Sequence, residues 1–222
     1  MQILPVYIEH QRGTREERIT AGIDQFVRDR FFHGISLFSV QENWIAALSG
    51  AVWINLRNPV RPDDILKHRR AICSQQAIVF MELLKRFGIE YGSVMFSWPG
   101  VGGDQGHFAV AARVDGEWQF FDPNLEAAGM RVPLASVISG ERLQELYAGR
   151  PEYDSRLQHA AANGNIKLAH VNQFPAPRGA AFQAVSGWLS AYGWLALGAL
   201  WLIWRTAPQG RRVEKRRRAA AH

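Results

Sequence analysis

The chain contains the segment Cys73-Ser-Gln-Gln-Ala-Ile-Val-Phe-Met-Glu-Leu-Leu-Lys-Arg-Phe87, and its fold can be worked out from there. Apolar residues recur at intervals of three and four along this segment, which predicts an amphipathic helix with one buried face. Gly88 follows directly and suits the left-handed conformation in which many helices end. Cys73 therefore stands at the first position of a predicted helix.

A hairpin is predicted downstream, in the segment Gly106-His-Phe-Ala-Val-Ala-Ala-Arg-Val-Asp-Gly-Glu-Trp-Gln-Phe-Phe-Asp-Pro123. Alternating residues on both sides of Asp115-Gly116 indicate two strands joined by a two-residue type I′ turn. In that register Ala109 lies opposite Asp122, and the period of two puts His107 on the same face of the sheet. His107 and Asp122 are then diagonal neighbours, so we expect an imidazole–carboxylate hydrogen bond between them.

Cys73 is the only cysteine, so the chain has no internal disulfide and its thiol does not report an oxidising compartment. A helix N-terminus and a nearby imidazolium both stabilise a thiolate. We therefore predict Cys73 as a nucleophile, His107 as its general base and acid, and Asp122 as the group that orients the imidazole. The backbone N–H of Cys73 is the expected oxyanion donor, with the indole of Trp44 or Trp53 as a further candidate.

Short motifs between about residues 60 and 125 support the same grouping. They are Arg70-Ala-Ile-Cys73-Ser-Gln-Gln-Ala, Leu83-Leu84, Phe87-Gly88-Ile89, Gly106-His107, Asp115-Gly116-Glu-Trp118 and Asp122-Pro123. In type, spacing and context this set resembles the transglutaminase-like superfamily, whose core is papain-like. The resemblance implies a catalytic triad on Cys73, His107 and Asp122. It also implies an activity among amide hydrolases, peptidases and acyl transferases, a superfamily in which some members are inactive.

The segment Ala184–Trp204 is predicted to cross a membrane. It has 21 residues without a charge, and about 20 apolar residues at 1.5 Å each cover a hydrocarbon core of roughly 30 Å. Trp188 near one end and Trp201 and Trp204 near the other suit the headgroup zones. The alternative is a buried core helix.

The basic tail, residues 205–222, holds all of the net charge. The chain carries +6, and the tail contains seven basic residues and one acidic residue, so the other 204 residues are balanced. The globular part therefore gives no sign of a nucleic-acid partner. Because the tail directly follows the predicted span, we expect it to contact anionic lipid headgroups.

The side of the membrane on which the domain lies is not fixed by the sequence. The positive-inside rule puts the basic tail in the cytoplasm and the domain outside. However, the first residues show no charged leader before an apolar run, so no cleavable export signal is predicted. Two interpretations stay open: a start further upstream, or a tail-anchored protein whose short tail crosses.

The order of the predicted elements defines the fold class. Thr14 and Glu17 form a capping box at the start of one helix, and a second helix is predicted over about 41–56. The helix of the cysteine follows, then a strand at 89–98, the hairpin, and a short helix near 140–148. Helices followed by an antiparallel sheet predict an α+β fold. The resemblance implies that its core is papain/transglutaminase-like, with the helix bearing the cysteine packed on the sheet. A C-terminal transmembrane helix completes it.

The predicted domain organisation has five parts. They are an N-terminal helical part at 1–60, the transglutaminase-like catalytic core at 61–150, a linker region at 151–183, the transmembrane helix at 184–204 and the basic tail at 205–222.

Two functions of different class are consistent with the sequence. The first is a membrane-anchored cysteine enzyme that acts on amide bonds of a peptide or protein, including an envelope-associated one, through a thioester acyl-enzyme. The alternative is a catalytically inactive transglutaminase-like module that binds or scaffolds at the membrane. No cofactor is predicted, and no metal site, because Cys73, His107 and Asp122 lack the short-spaced ligand pair typical of zinc sites. Taken singly, Cys73 could also be a small buried hydrophobe.

Overall fold

A computed structural model describes residues 4–100, 103–125 and 131–206. Its helices are α1 (Leu4–Glu9), α2 (Arg15–Arg30), α3 (Val40–Ser49), α4 (Pro62–Ile65), α5 (Cys73–Arg86), α6 (Leu134–Ile138), α7 (Leu143–Leu146), α8 (Pro151–Ala162) and α9 (Pro177–Thr206), with a 3-10 turn at Ile54–Leu56. Its strands are β1 (Phe32–His33), β2 (Arg70–Ala71), β3 (Tyr91–Gly100), β4 (Gly103–Val114), β5 (Glu117–Phe121), β6 (Val132–Pro133) and β7 (Ile166–Ala169).

The chain divides into two compact units. The first unit comprises the residues up to Leu37 together with Asn58–Gln183, and the second comprises Phe38–Arg57 together with the chain from Ala184 onward. In the first unit five strands form an antiparallel sheet in the order β6-β5-β4-β3-β7, and β1 and β2 form a short parallel pair. Helices and an antiparallel sheet thus make up the predicted α+β fold.

The sheet of the first unit is covered on both faces. One face packs against α2 and α5, where the rings of Phe80 and Phe121 lie 5.4 Å apart. The other face, which includes Phe96 and Phe120, packs against α6, α7 and α8. The helix that begins at Cys73 therefore lies on the sheet, as the sequence predicts.

The ends of α5 are set by local sequence. Gly88 has a φ of +71°, as expected for a left-handed stop. Its N–H donates to the Lys85 carbonyl at 3.1 Å, and the Ile89 N–H donates to the Leu84 carbonyl at 3.0 Å. This pair of bonds is the Schellman motif, which satisfies carbonyls that the helix end would leave without partners.

The β4–β5 hairpin has the predicted turn and register. Asp115 and Gly116 have φ angles of +51° and +89°, as a type I′ turn requires. The ladder runs from the Val114–Glu117 pair to the Val110–Phe121 pair. The hairpin prediction is confirmed, and the alternation of faces that it implied holds as far as Phe121, the residue before Asp122.

The predicted helix over 41–56 is shorter and irregular. Helix α3 ends at Ser49, before Gly50, and only Ile54–Leu56 continues as a 3-10 turn. Asn43 interrupts α3 with φ −158° and ψ 86°. Its side-chain oxygen accepts from the Ala46 N–H at 3.1 Å, a local bond of the kind by which asparagine competes with helix geometry.

The stretch after the hairpin contains more structure than we predicted. The predicted linker at 151–183 instead contains α8 and β7, and β7 pairs with β3 through Phe96–Ile166 and the pairs that follow. A four-residue edge strand with one exposed face carries too weak an alternation to be recognised in sequence. The short helix predicted near 140–148 is present as α7, whereas α6 was not predicted.

Helix α9 is the one helix within the described residues that is long and apolar enough to cross a membrane. It begins at Pro177, before the predicted 184–204 segment. In the first unit, the Gln183 side chain accepts from the Val60 N–H and donates to the Asn58 carbonyl. Further along, Leu197 and Trp204 are 68% and 73% exposed, which does not fit the alternative of a buried core helix. Residues 207–222 of the basic tail lie outside the described residues.

Candidate active site

Cys73 is the first residue of α5 and carries a free, partly exposed thiol. The first intrahelical bond runs from the Gln76 N–H to the Ile72 carbonyl at 3.0 Å, so the N–H groups of Cys73 and Ser74 have no partner within the helix. Ile72, the residue before the helix, has no polar side-chain atom with which to cap them. These amides are suited to receive negative charge, either on the thiolate or on a substrate oxygen.

An open edge of β4 lies beside the Cys73 sulfur. The β4–β5 ladder stops at Val110 and Phe121, so the next outward-facing amide of β4, that of Phe108, has no strand partner on that side. This N–H donates to the Cys73 sulfur. The end of the hairpin thus places a backbone donor where the start of α5 places the thiol.

His107 connects the thiol to Asp122. The Nε2 atom of His107 lies 2.6 Å from Oδ2 of Asp122, and both side chains are almost fully buried, at 2% and 0% exposed. The imidazole also hydrogen-bonds the Cys73 thiol, for which Nδ1 is the ring nitrogen that remains. The structure therefore brings the three sequence-predicted residues together in one hydrogen-bonded row.

The carboxylate of Asp122 is bound on both oxygens. Besides His107, Oδ2 accepts from the Tyr147 hydroxyl at 2.7 Å. Oδ1 accepts from the N–H groups of Asn124 and Leu125 at 3.1 and 3.3 Å. Sequence reasoning missed Tyr147, because a tyrosine 25 positions downstream of Asp122, directly after α7, carries no local signal.

Aromatic rings enclose the imidazole of His107. The ring centroids of Phe96, Tyr147 and Tyr153 lie 5.8, 6.5 and 6.2 Å from that of His107. The two tyrosines meet it edge to face, an arrangement that favours aromatic pairs. The imidazole is therefore held in one orientation and shielded from water.

The ionisation of the three groups follows from this arrangement. Burial by itself would raise the pKa of the Cys73 thiol, but the hydrogen bond and charge of His107 and the Phe108 N–H outweigh it and lower this pKa. Burial would lower the pKa of His107, but the charge of Asp122 and hydrogen bonds to Asp122 and Cys73 raise it to about 10. Burial would raise the pKa of Asp122, yet the charge of His107 and the hydrogen bonds from His107, Tyr147 and Asn124 lower it. All three shifts favour a thiolate–imidazolium–carboxylate row at neutral pH.

The sequence model of a transglutaminase-like domain matches residues 24–142, which is more than half of the chain and includes all three groups. The chain belongs to this family. No curated protein matches the sequence.

Two solved structures share a weak likeness with the chain. One is a proposed cysteine protease from Cytophaga hutchinsonii, with 11% identity and a TM-score of 0.36 over 55% of this chain and 36% of that chain. The other is a TGase, with 14% identity and a TM-score of 0.37 over 59% of this chain and 33% of that chain. The chain thus spans about a third of the length of each. Similarities this low have no bearing on activity.

Arg28 joins α2 to the site of this transglutaminase-like domain. Its guanidinium donates to the backbone carbonyl of Asp122 at 3.1 Å and to Oδ2 of Asp24 at 2.7 Å. Burial raises the pKa of Asp24, Arg28 lowers it in part, and the negative charge of Asp122 raises it further. Arg28 therefore fixes the main chain at Asp122 while it also separates two buried acids.

Gln75 holds the start of the cysteine helix. Its Oε1 accepts from the Ile72 N–H and the Ser36 hydroxyl, both at 3.1 Å. Its Nε2 donates to the carbonyls of Ser36 and Pro59 at 3.4 and 3.0 Å. The buried amide thus ties the helix N-terminus to two other segments of the first unit and fixes the position from which Cys73 projects.

The other predicted roles are not decided by this geometry. Trp44 and Trp53 belong to the second unit and are 45% and 58% exposed, so an indole donor to the oxyanion stays a prediction. Within the described ranges, no group of three histidine, cysteine or acidic residues is arranged to hold a metal ion.

Proposed function

We propose that this protein is a membrane-anchored cysteine enzyme that acts on amide bonds through a thioester acyl-enzyme. The observation that carries the proposal is the row in which His107 joins the partly exposed Cys73 thiol to the buried Asp122 carboxylate. The substrate class is a peptide or protein. The membrane part of the proposal is supported by the length and apolar exposed surface of α9.

The first half-reaction forms the acyl-enzyme. The Cys73 thiolate attacks the carbonyl carbon, a C–S bond forms, and the π electrons move to the oxygen. Backbone N–H groups at the start of α5, that of Cys73 first, stabilise the oxyanion. When the carbonyl re-forms, the C–N bond breaks and His107 passes its proton to the leaving nitrogen, which departs as an amine.

The second half-reaction releases the acyl group. A water molecule or a second amine attacks the thioester carbon, and the now neutral His107 takes a proton from this nucleophile. The C–S bond breaks and the thiolate is restored beside the imidazolium. Asp122 stays ionised throughout and stabilises the charged imidazole in its place. The choice of nucleophile separates a hydrolase from an acyl transferase.

Acylation by a small activated ester tests the nucleophile. With p-nitrophenyl acetate, we expect the full chain in detergent to release a burst of nitrophenol and to carry one acetyl group on Cys73, seen by mass spectrometry. Cys73→Ser should abolish the adduct, and His107→Ala should slow its formation. His10→Ala is the matched control, since His10 is an exposed histidine directly after α1 whose ring bonds the Val6 carbonyl of that helix.

The same experiment separates the enzyme from a binding module. An acetylation rate of Cys73 no faster than that of a free thiol in solution, with no effect of His107→Ala, would favour the non-catalytic alternative. If the acyl-enzyme forms, its partition is measured with and without an added alkylamine. Amide product in proportion to the amine indicates transfer, whereas acetate alone indicates hydrolysis.

A further inference from the structure

The second unit contains a short segment with an unusual surface. This segment, residues 38–57, is called here the α3 segment, and large apolar side chains stand exposed along it. They are Val40 at 61%, Trp44 at 45%, Leu48 at 61%, Val52 at 91%, Trp53 at 58% and Ile54 at 53%. The first unit exposes the same number of large apolar residues over a described length several times greater, and they are scattered. Scattered apolar residues are ordinary on a soluble surface, whereas a contiguous run marks contact with an apolar partner.

The α3 segment is attached to the candidate span by a buried polar network. The Asn43 side chain donates to the Ser186 hydroxyl at 2.9 Å and accepts from the Ser190 hydroxyl at 3.0 Å. The Ser190 hydroxyl also accepts from the Ile45 N–H at 3.3 Å. Ser186 and Ser190 lie one turn apart on α9, so the network fixes the α3 segment against one face of that helix.

Small residues let the two elements of the second unit approach closely. Ala46 and Ala47 of the α3 segment are buried, at 0% and 9% exposed. On α9, a Cβ added at Gly187 would lie 3.7 Å from the Asn43 side-chain nitrogen. Small residues and interhelical hydrogen bonds are the means by which helices associate in lipid. The small side of the α3 segment therefore faces α9, and its large apolar side chains remain exposed among the described residues of this unit.

The charges and the tryptophans of the segment indicate what covers it. Glu42 and Arg57 are its only charged residues. Trp44 and Trp53 lie among the exposed apolar residues, and indole prefers the boundary between headgroups and acyl chains. The network contacts α9 near the start of the predicted membrane-spanning segment, which begins at Ala184. The α3 segment is thus placed at the depth of one membrane interface and not at the bilayer centre.

We propose that the α3 segment inserts into the lipid bilayer as a second, interfacial membrane element beside α9. Its partner is the boundary between headgroups and acyl chains, into which Leu48, Val52 and Ile54 project. The proposal rests on the proposed function in one respect, that α9 spans the same bilayer. Insertion of Trp53 into lipid is incompatible with the indole-donor role suggested for it by the sequence.

The single cysteine of the chain makes the test direct. In a Cys73→Ser background, Val52→Cys is labelled with an environment-sensitive fluorophore, and the full chain is reconstituted into phosphatidylcholine–phosphatidylglycerol vesicles. Lipids with a nitroxide near the headgroup quench a probe that lies at the interface. We expect quenching several-fold stronger than at Val6→Cys, a matched exposed valine of the first unit at 51%. Ile54→Cys gives an independent second probe.

A third site separates the two membrane claims. Leu200→Cys, at a 61% exposed position of α9, reports the span through lipids with a nitroxide deep in the acyl chain. Quenching at Leu200 with Val52 and Ile54 as exposed to water as Val6 would overturn the inference and leave the anchor intact. No quenching at any site would overturn the anchor as well. Val52 shielded from water but not quenched by lipid would mean that a second copy of the chain covers the segment, which also refutes the inference.

Discussion

The two ring nitrogens of His107 interact with two different groups, an acid and a thiol. One faces the Asp122 carboxylate, which accepts from several donors, and the other faces the Cys73 thiol, whose pKa is lowered. Because the Asp122 oxygens are satisfied by Tyr147, Asn124 and Leu125 as well, the charge of Asp122 stays in place. The imidazole of His107 and, through it, the thiol of Cys73 are therefore the groups whose protonation changes.

The pH dependence of Cys73 alkylation reports this coupling. Because the pKa of Cys73 is lowered, iodoacetamide should react rapidly with it at neutral pH. As the pH is lowered, the rate should begin to fall only at a pH below the pKa of an ordinary thiol. In His107→Ala the opposing effect of burial remains, so the pKa rises and the curve moves to higher pH. Each unit by which the pKa of the thiol rises makes the reaction at pH 7 about tenfold slower.

The matched control for this experiment is His10→Ala, for which we expect the wild-type curve. A wild-type profile with an ordinary thiol pKa, or one that His107→Ala leaves in place, would contradict the activated thiolate.

Tyr147 is predicted to act as a positioning residue. Tyr147→Phe keeps the ring beside His107 but removes the hydroxyl that donates to Asp122 at 2.7 Å. Hydrogen bonds to charged groups are worth about 1.5–3 kcal/mol, so the pKa of Asp122 should rise, its hold on the imidazolium should weaken, and the alkylation curve should move to higher pH. Urea unfolding should show a lower free energy of unfolding by a similar amount.

Tyr153→Phe is the control that tests whether the effect of Tyr147→Phe is specific to the Tyr147 hydroxyl. Its ring also meets His107 edge to face, at 6.2 Å, and loss of its hydroxyl should leave the alkylation curve unchanged. Equal shifts in the two variants would argue against a specific role of the Tyr147 hydroxyl.

At the scale of the element, the β3–β4 pair fixes where His107 projects. A Cβ added at Gly106 would lie 2.5 Å from the Phe96 carbonyl oxygen, so β4 can approach β3 at this point only with glycine there. Phe96 is also the ladder partner of His107. A change of spacing at Gly106 is therefore transmitted directly to the imidazole.

Gly106→Ala should reduce both stability and reactivity. Overpacking of this kind costs about 1–3 kcal/mol, and we expect that loss in urea unfolding together with slower alkylation of Cys73. Gly116→Ala is the matched variant in the turn between β4 and β5, where a Cβ would have no atom within 4 Å but φ is +89°. It should lose stability yet keep Cys73 reactive. Equal loss of reactivity in both would indicate a general effect of unfolding.

The elements that the sequence predicts are those with strong local signals. The Asp115-Gly116 turn fixes a register because only residues that tolerate positive φ fit it, and the register then places His107 beside Asp122. The order β6-β5-β4-β3-β7 was not predictable, because β6 and β7 have two and four residues and are held by pairing with distant strands. Tyr147 was also missed, because its bond to Asp122 joins residues far apart in the sequence. The catalytic roles of the three groups stay a prediction.

At the scale of the whole molecule, the uncharged run of α9 was recognised from composition, while its start at Pro177 was not. The extension depends on Gln183, whose side chain binds the main chain at Asn58 and Val60, and tertiary bonds of this kind leave no periodic trace. The α3 segment shows the same limit. Its apolar residues predicted one helix over about 41–56, but the structure ends α3 at Ser49 and exposes most of the large apolar side chains.

Charges placed in α9 should release the protein from membranes. Leu197→Arg combined with Leu200→Arg puts two guanidinium groups in the middle of the run, at about 2.5–3.5 kcal/mol each for insertion. After alkaline carbonate treatment, we expect the wild type in the membrane pellet and a large fraction of the double variant in the supernatant. Val6→Arg, in the first unit, should stay in the pellet. Complete extraction of the wild type would refute anchoring by α9.

The amide of Gln75 has a structural consequence for modularity. Because a single nitrogen binds the carbonyls of both Ser36 and Pro59, the points where the chain leaves and re-enters the first unit are held side by side. Insertions with adjacent ends are the ones that a fold tolerates and exchanges most readily. A bridge of a few glycines and serines should therefore replace residues 38–57, the α3 segment, without disturbing the row of Cys73, His107 and Asp122.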